Sequence, residues 1–193
     1  MKLCWAFLLM IPVVLIVTCR RAADHPQVVI STELGDIKVE IYQDRAPITS
    51  ANFLSYVEGG CFDEASFYRV VRMDNQPDDE VKIAVIQGGL LSEERMHTPI
   101  EHETTEITGI LHRDGIISMA RNEPGTATSE FFICIGDQPE LDFGGARNPD
   151  GQGFAAFGRV VEGMELVRKI HRQPAEKQKL NPPIKIITIA RVP

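Results

Sequence analysis

Three of the five histidines lie close together, at positions 97, 102 and 112, with Glu101 and Glu103 beside them. The chain has no His-Glu-x-x-His motif and no Cys-x-x-Cys pair, the spacings typical of zinc sites. It also has no Gly-x-Ser-x-Gly motif and no glycine-rich phosphate loop. Because the surrounding sequence is polar and rich in turn residues, we interpret these histidines as solvated loop residues. We expect no metal and no cofactor.

A different chemistry is indicated by polar residues within apolar, strand-like runs. Arg69 lies in one such run and Gln87 in the next; taken alone, Arg69 would be an ordinary surface arginine. Its context is more specific, because the following blocks succeed one another: FYRVV (67–71), VIQGG (85–89), GIISMA (115–120), SEFFI (129–133), FGRV (157–160) and EGM (162–164). In this order and spacing they closely resemble the cyclophilin family of peptidyl-prolyl cis-trans isomerases, from about residue 28 to residue 192.

The resemblance implies a mainly β fold, an eight-stranded antiparallel β-barrel capped by two short α-helices. It implies that Arg69 is the catalytic arginine, that Gln87 binds the substrate backbone, and that Phe132 forms the floor of a proline pocket. The substrate-binding positions that it implies around these three are Tyr68, Val85, Ala120, Arg121, Glu130, Leu141 and Phe154. The partners would be proline-containing polypeptides. We expect the head group of Arg69 to face solvent.

The chain departs from the family pattern at several of these positions. Ala84 stands where a pocket phenylalanine is common, and Glu140 replaces an aromatic residue with which drug-binding members bind cyclosporin. An insertion at 73–82 lengthens the connection after Arg69. Other residue types differ as well: Tyr68 for His, Val85 for Met, Arg121 for Asn, Glu130 for Gln and Phe154 for His. A second hypothesis therefore stays open, a module that binds proline-containing segments without catalysing turnover.

The elements that must position these residues can be predicted from the apolar pattern. Residues 28–32 and the strictly alternating 37–41 predict a hairpin that turns at Gly35 and Asp36. A helix is predicted from Pro47 to the glycines at 59–60, with apolar positions such as Ile48 and Phe53, and a second from residue 163 to about 171. Further strands are predicted at 66–72, 81–87, 116–120, 131–135, 154–161 and 184–191. The pattern by itself favours an antiparallel barrel or a sandwich.

Charge and length limit the remaining possibilities. The chain has 193 residues and a net charge of −7. This length suits a single domain, and an acidic surface repels phosphate backbones, so we expect no nucleic-acid partner. We expect a monomer.

The first residues resemble an export leader. A short apolar run at 3–18 follows Lys2 and precedes Cys19, Arg20 and Arg21. The run is short for a membrane span and Pro12 interrupts it. We assign 1–23 to a signal peptide, a lipoprotein leader or a membrane anchor, and 24–193 to the isomerase domain.

The leader predicts where the protein is located. Each of the three alternatives places the domain in the cell envelope of a bacterium, either periplasmic or tethered to a membrane. Any contact with the membrane would be made only through the leader or a lipid on Cys19. In an oxidising compartment Cys61 and Cys134 could pair, although the apolar run at 131–135 favours a buried free thiol at Cys134.

Overall fold

The computed structural model describes residues 25–90 and 93–193. The elements are β1 (Gln27–Thr32), β2 (Gly35–Ile41), α1 (Pro47–Glu58), β3 (Ser66–Val71), β4 (Val85–Gly89), α2 (Thr105–Thr108), β5 (Ile116–Met119), β6 (Phe131–Cys134), β7 (Ala155–Glu162), α3 (Met164–His171), β8 (Ala175–Glu176) and β9 (Lys179–Arg191). Short 3₁₀ turns lie at Glu93–Arg95 and Pro139–Leu141.

The strands form a closed antiparallel barrel. The pairing order is β1-β2-β7-β5-β6-β4-β3-β9, and β9 pairs back onto β1 to close the ring. Among the strands that the structure describes, the two-residue strand β8 pairs only with β9. Closure leaves no unpaired sheet edge among these eight strands. The predicted eight-stranded barrel is confirmed, but the prediction of two helices missed the single turn of α2.

Alternation of apolar and polar residues determines which side chains fill the barrel. In β2, Ile37, Val39 and Ile41 are fully buried, whereas Lys38 and Glu40 are not. The predicted position of the first turn is wrong. The chain turns at Glu33 and Leu34, and Gly35 and Asp36 already belong to β2, paired with Thr32 and Ser31.

The observed strand boundaries differ most from the predicted ones beside the insertion and near the end of the chain. The strand predicted at 81–87 is β4 at Val85–Gly89, because residues 72–84 form the loop that joins it to β3. The last strand starts earlier than predicted, at Lys179, and its first residues pair with β8.

Helix α1 closes one end of the barrel and is capped by a distant carboxylate. Glu103 is 7% exposed and accepts hydrogen bonds from the backbone N–H groups of Ile48 and Thr49, at 3.2 and 2.7 Å, and from the Thr49 hydroxyl at 2.6 Å. The first N–H groups of a helix have no partner within the helix, and a negative charge there also stabilises the helix dipole. Glu103 thus joins the α2 region to α1.

Glu103→Ala should therefore destabilise the domain strongly. Hydrogen bonds to charged groups contribute roughly 1.5–3 kcal/mol each, and the buried donors would be left without partners. We expect the free energy of unfolding to fall by about 3 kcal/mol, measured by urea denaturation. The exposed Glu101 provides a matched control, because Glu101→Ala should change stability by less than about 0.5 kcal/mol. Equal effects of the two substitutions would show that Glu103 does not cap α1.

Candidate active site

A pocket of about 450 Å³ opens on the outside of the barrel, next to β3, β4 and β6. Its base is a second hydrophobic cluster, separate from the barrel core. This cluster consists of Val71, Ile83, Val85, Phe132, Cys134 and Leu141, with Ala120 and Phe154 packed against it. The alternation of β6 explains the separation, because Phe131 and Ile133 belong to the barrel core whereas Phe132 and Cys134 belong to the pocket cluster.

Strand register brings the three predicted catalytic residues into one row. Arg69 on β3 pairs with Gln87 on β4, Gln87 pairs with Phe132 on β6, and Phe132 pairs with Ser118 on β5. Directly opposed residues have side chains on the same face of a sheet. The row therefore places a cation, an amide and an aromatic ring side by side at the pocket.

The guanidinium of Arg69 is held at two places. Its Nη1 donates to Gln87 Oε1 at 2.8 Å, and its Nε and Nη2 both donate to Gln178 Oε1, at 2.9 and 2.6 Å. Two of its five N–H groups have no partner among the described residues, and Arg69 lines the pocket. The head group is half-buried between two amides, so it faces the pocket with only part of its surface, and the expectation that it faces solvent holds in part. Burial lowers the pKa of Arg69, but an arginine remains charged at any physiological pH.

The orientation of the Gln87 amide is fixed by its neighbours. Its Nε2 donates to the Tyr68 hydroxyl at 2.8 Å and to Glu130 Oε2 at 3.2 Å. A carboxylate only accepts hydrogen bonds and a guanidinium only donates them, so the Gln87 amide nitrogen faces Glu130 and its oxygen faces Arg69. Burial, together with the Glu130 carboxylate, raises the pKa of Tyr68, which stays a neutral phenol.

Arg121 forms one wall of the pocket, and its guanidinium is held by hydrogen bonds to other residues of the protein. Its side chain is 1% exposed, its Nη1 and Nη2 bind both carboxylate oxygens of Asp150 at 2.8 and 2.9 Å, and Nε and Nη2 donate to the Gly153 carbonyl. The guanidinium also lies over the Phe154 ring, 5.3 Å from its centroid. The hydrogen bonds from Arg121 lower the pKa of Asp150 to about 2, so this ion pair persists at physiological pH.

The prediction that all three clustered histidines are solvated is wrong for His112. Its side chain is fully buried, with Nδ1 2.7 Å from Asp142 Oδ1 and Nε2 3.0 Å from Ser118 Oγ. The ring stacks on Phe132 at 5.9 Å between centroids, so His112 supports the pocket floor from behind. Within residues 25–90 and 93–193, no group of three or more His, Cys, Asp or Glu side chains could hold a metal ion.

Residues 27–192 match the family described as cyclophilin type peptidyl-prolyl cis-trans isomerase/CLD. The chain belongs to the cyclophilin family. A peptidyl-prolyl cis-trans isomerase of Acinetobacter baylyi is 33% identical over 179 residues, covering 88% of this chain and 87% of the relative. Peptidyl-prolyl cis-trans isomerase B of Escherichia coli is 33% identical over 144 residues, covering 72% and 80%. The cyclophilin described here is a peptidyl-prolyl cis-trans isomerase.

The fold is also shared with a solved structure. A cyclophilin-type isomerase from Cryptosporidium parvum superposes with a TM-score of 0.69 at 23% identity, covering 88% of this cyclophilin and 98% of that chain. A second structure of the same protein was determined in the presence of the dipeptide ala-pro, with the same TM-score of 0.69. These two comparisons bear on the fold alone.

The structure places nine of the ten predicted site residues around one pocket: Arg69, Val85, Gln87, Ala120, Arg121, Glu130, Phe132, Leu141 and Phe154. Tyr68 does not line the pocket, but its hydroxyl contacts the pocket residues Gln87 and Glu130. The roles assigned to these ten residues stay predictions.

Sequence reasoning missed several residues around the pocket of this cyclophilin, and Gln178 and Ile83 are two of them. Gln178, between β8 and β9, holds Arg69, and no motif marks it. Ile83, rather than Ala84, lines the pocket, because residues 83, 85 and 87 share one face of the chain. Strand alternation counted back from Gln87 could have identified Ile83.

Several predictions concern residues that do not line the pocket. Cys61 and Cys134 are free thiols, and Cys134 is fully buried. The predictions for residues 1–23 lie outside the described residues. In the described part of the chain, no helix has the length and apolar character needed to cross a membrane.

Glu140 does not line the pocket, and its carboxylate accepts a hydrogen bond from the Ala146 N–H at 2.9 Å. We expect this cyclophilin to bind cyclosporin weakly, because an exposed carboxylate stands where the resemblance places the aromatic ring with which drug-binding members bind the drug. Isothermal titration calorimetry measures the affinity, and Glu140→Trp should tighten it. A nanomolar dissociation constant for the unsubstituted protein would contradict this prediction.

Proposed function

We propose that Arg69 accelerates rotation about Xaa-Pro bonds by stabilising the twisted amide. Amide resonance gives this rotation a barrier of roughly 18–20 kcal/mol, and uncatalysed isomerisation takes tens to hundreds of seconds. Rotation breaks the resonance and leaves a lone pair on the proline nitrogen. A positioned N–H donor binds that lone pair in the twisted state and has little to bind in the planar state, where the nitrogen electrons are delocalised. This difference in binding lowers the barrier.

The observation that supports this proposal is the row Arg69–Gln87–Phe132. Gln87 and Gln178 fix the guanidinium, so its two remaining N–H groups need little reorganisation when the bond twists. Phe132 and its neighbours form an apolar pocket that can hold the proline ring while the preceding carbonyl swings. Water excluded from this pocket strengthens the donated hydrogen bond. The chemistry requires no proton transfer, covalent intermediate or metal.

Catalysis can be distinguished from simple binding of proline segments. Exchange spectroscopy on an Ala-Xaa-Pro peptide measures cis-trans interconversion directly, without a coupled protease. We expect a catalytic amount of protein to accelerate exchange. Saturable peptide binding with no acceleration would instead support the alternative, a non-catalytic module on the same fold.

We further propose that the protein acts on exported chains in the bacterial cell envelope. The support is the sequence of the first 23 residues, in which a basic start and a short apolar run precede Cys19. Cys19 at the end of the run slightly favours a lipoprotein, although Thr18 is unusual before a lipidated cysteine. The monomeric state also stays a prediction, which light scattering would test.

The leader proposal is tested by the intact mass and the membrane partitioning of protein from its native host. Lipidation predicts a mature chain that starts at Cys19, and Cys19→Ser should abolish membrane association. An ordinary signal peptidase would give a water-soluble chain that starts just beyond Cys19. A membrane-bound Cys19→Ser protein that still contains Met1 would establish an uncleaved anchor and contradict the lipoprotein proposal.

A further inference from the structure

The insertion at 73–82 is built into the wall of the pocket. The pairing between β3 and β4 ends at Val71 and Val85. Beyond this pair the two strands separate and are joined by the inserted loop. Ile83 lies just past that point, is 7% exposed and belongs to the apolar cluster under the pocket. No neighbouring strand pairs with the backbone of Ile83, so another group must satisfy its buried N–H and C=O.

The side chain of Gln76, from inside the insertion, provides that partner. Its Nε2 donates to the Ile83 carbonyl at 2.8 Å, and its Oε1 accepts from the Ile83 N–H at 3.2 Å. The amide thus pairs with both backbone groups of Ile83, as a residue of a neighbouring strand would. Gln76 is 1% exposed, so this pairing takes place away from water.

The Gln76 amide also forms hydrogen bonds through its second N–H group and through the second acceptor site of its oxygen. Its second N–H donates to the Arg72 carbonyl at 2.8 Å, and its oxygen accepts a second bond from Arg147 Nη1 at 3.1 Å. Arg147 itself lines the pocket, donates to the Val81 carbonyl at 2.6 Å and pairs with Asp79 at 3.2 Å. The inserted loop is therefore bound to the pocket through both Ile83 and Arg147.

From this arrangement we propose that Ile83 is a specificity-determining residue and that Gln76, supported by Arg147, is the positioning residue that holds it against the substrate ring. Ile83 is stiff because it is β-branched, so a backbone fixed at this point gives a fixed wall. The wall restricts the pocket to the five-membered ring of proline and excludes a six-membered imino acid. The inference rests on the proposed isomerase function, because it concerns which ring that site accepts.

The test compares two peptides that differ by one methylene, Ala-Xaa-Pro and Ala-Xaa-pipecolate, by exchange spectroscopy. The measured quantity is the ratio of their kcat/KM values. One methylene in an apolar pocket changes such a ratio by about 10- to 200-fold. We expect the unsubstituted protein to prefer proline and Ile83→Ala to reduce the preference by about tenfold. We expect Gln76→Met, which keeps the size but loses the hydrogen bonds, to reduce it similarly with Ile83 intact.

Both peptides are measured on the same sample, so the ratio does not depend on the fraction of folded protein. Arg147→Met is a second route to the same effect, should Gln76→Met fold poorly, because it removes one bond to the Gln76 oxygen. The exposed Asp78 of the same loop is the matched control, and Asp78→Asn should leave the ratio unchanged.

Each result has a defined meaning. An unchanged ratio in Ile83→Ala would overturn the role of Ile83. A changed ratio in Ile83→Ala, with no change in Gln76→Met or Arg147→Met, would overturn the positioning role of Gln76. Absence of catalysis on either peptide by the unsubstituted protein would refute the proposed function itself, so the two failures are distinguishable.

Discussion

Arg69→Lys is expected to lower kcat/KM for proline peptides by about 10²- to 10³-fold, the usual cost of removing a positioned donor from an active site. Lysine keeps the charge but lacks the planar fork that can bind Gln87, Gln178 and the substrate together. A coupled protease assay or exchange spectroscopy measures the loss. Because Arg69 is half-buried beside the pocket and outside the barrel core, we expect the fold to survive.

A suitable control for this substitution is Arg113→Lys. Arg113 is an exposed arginine that pairs with Asp137 and does not line the pocket. The activity of Arg113→Lys should therefore stay within about twofold of that of the unsubstituted protein. Thermal denaturation of both variants separates lost catalysis from lost folding. Activity near the original level in a folded Arg69→Lys protein would remove Arg69 from the mechanism.

Gln178→Met is expected to lower kcat by about 10- to 100-fold, since a small displacement of a catalytic group can cost this much. The substitution removes the acceptor for two N–H groups of Arg69 while keeping the length of the side chain. The guanidinium would then be held by Gln87 alone. We expect KM to change little, because the apolar pocket that binds the proline ring does not include Gln178.

Gln173→Met is the comparison for this effect. Gln173 lies on the same stretch of chain, and its side-chain amide donates only to the Lys169 carbonyl, at 3.3 Å. Its kinetics should match those of the unsubstituted protein. A rise in KM with unchanged kcat for Gln178→Met would argue that Gln178 shapes binding and does not position Arg69.

The resemblance to the family predicts the row Arg69–Gln87–Phe132, and the local alternation of strand residues explains why the three side chains share one face. Arg69, Gln87 and Phe132 each lie within an apolar run, and antiparallel pairing brings the runs together once the barrel closes. Gln178 could not be predicted this way. It lies 109 positions after Arg69, in the turn between β8 and β9, and only the closed barrel brings the two together.

Other differences between the predicted and the observed structure also have specific physical causes. Periodicity predicted α1 and part of its buried face, including Phe53, but not the burial of Thr49, Ser50 and Asn52 or the exposure of Ile48. Two of these polar residues are hydrogen-bonded to distant partners: Thr49 to Glu103, and Asn52 to the Thr128 carbonyl. His112 looked solvated because its neighbours in the sequence are polar, yet Asp142 and Ser118 enclose it from other elements. Polar residues that are satisfied by long-range partners leave no local pattern.

The most direct test of the proposed role of Arg69 separates the rotation step from peptide binding. NMR line-shape analysis of a saturating Ala-Xaa-Pro peptide gives both the exchange rate on the protein and the dissociation constant. Arg69→Lys is expected to slow exchange of the bound peptide by about 10²-fold or more while the dissociation constant changes by only a few-fold. An exchange rate equal to that of the unsubstituted protein, with only weaker binding, would show that Arg69 holds the peptide and does not stabilise the twisted amide.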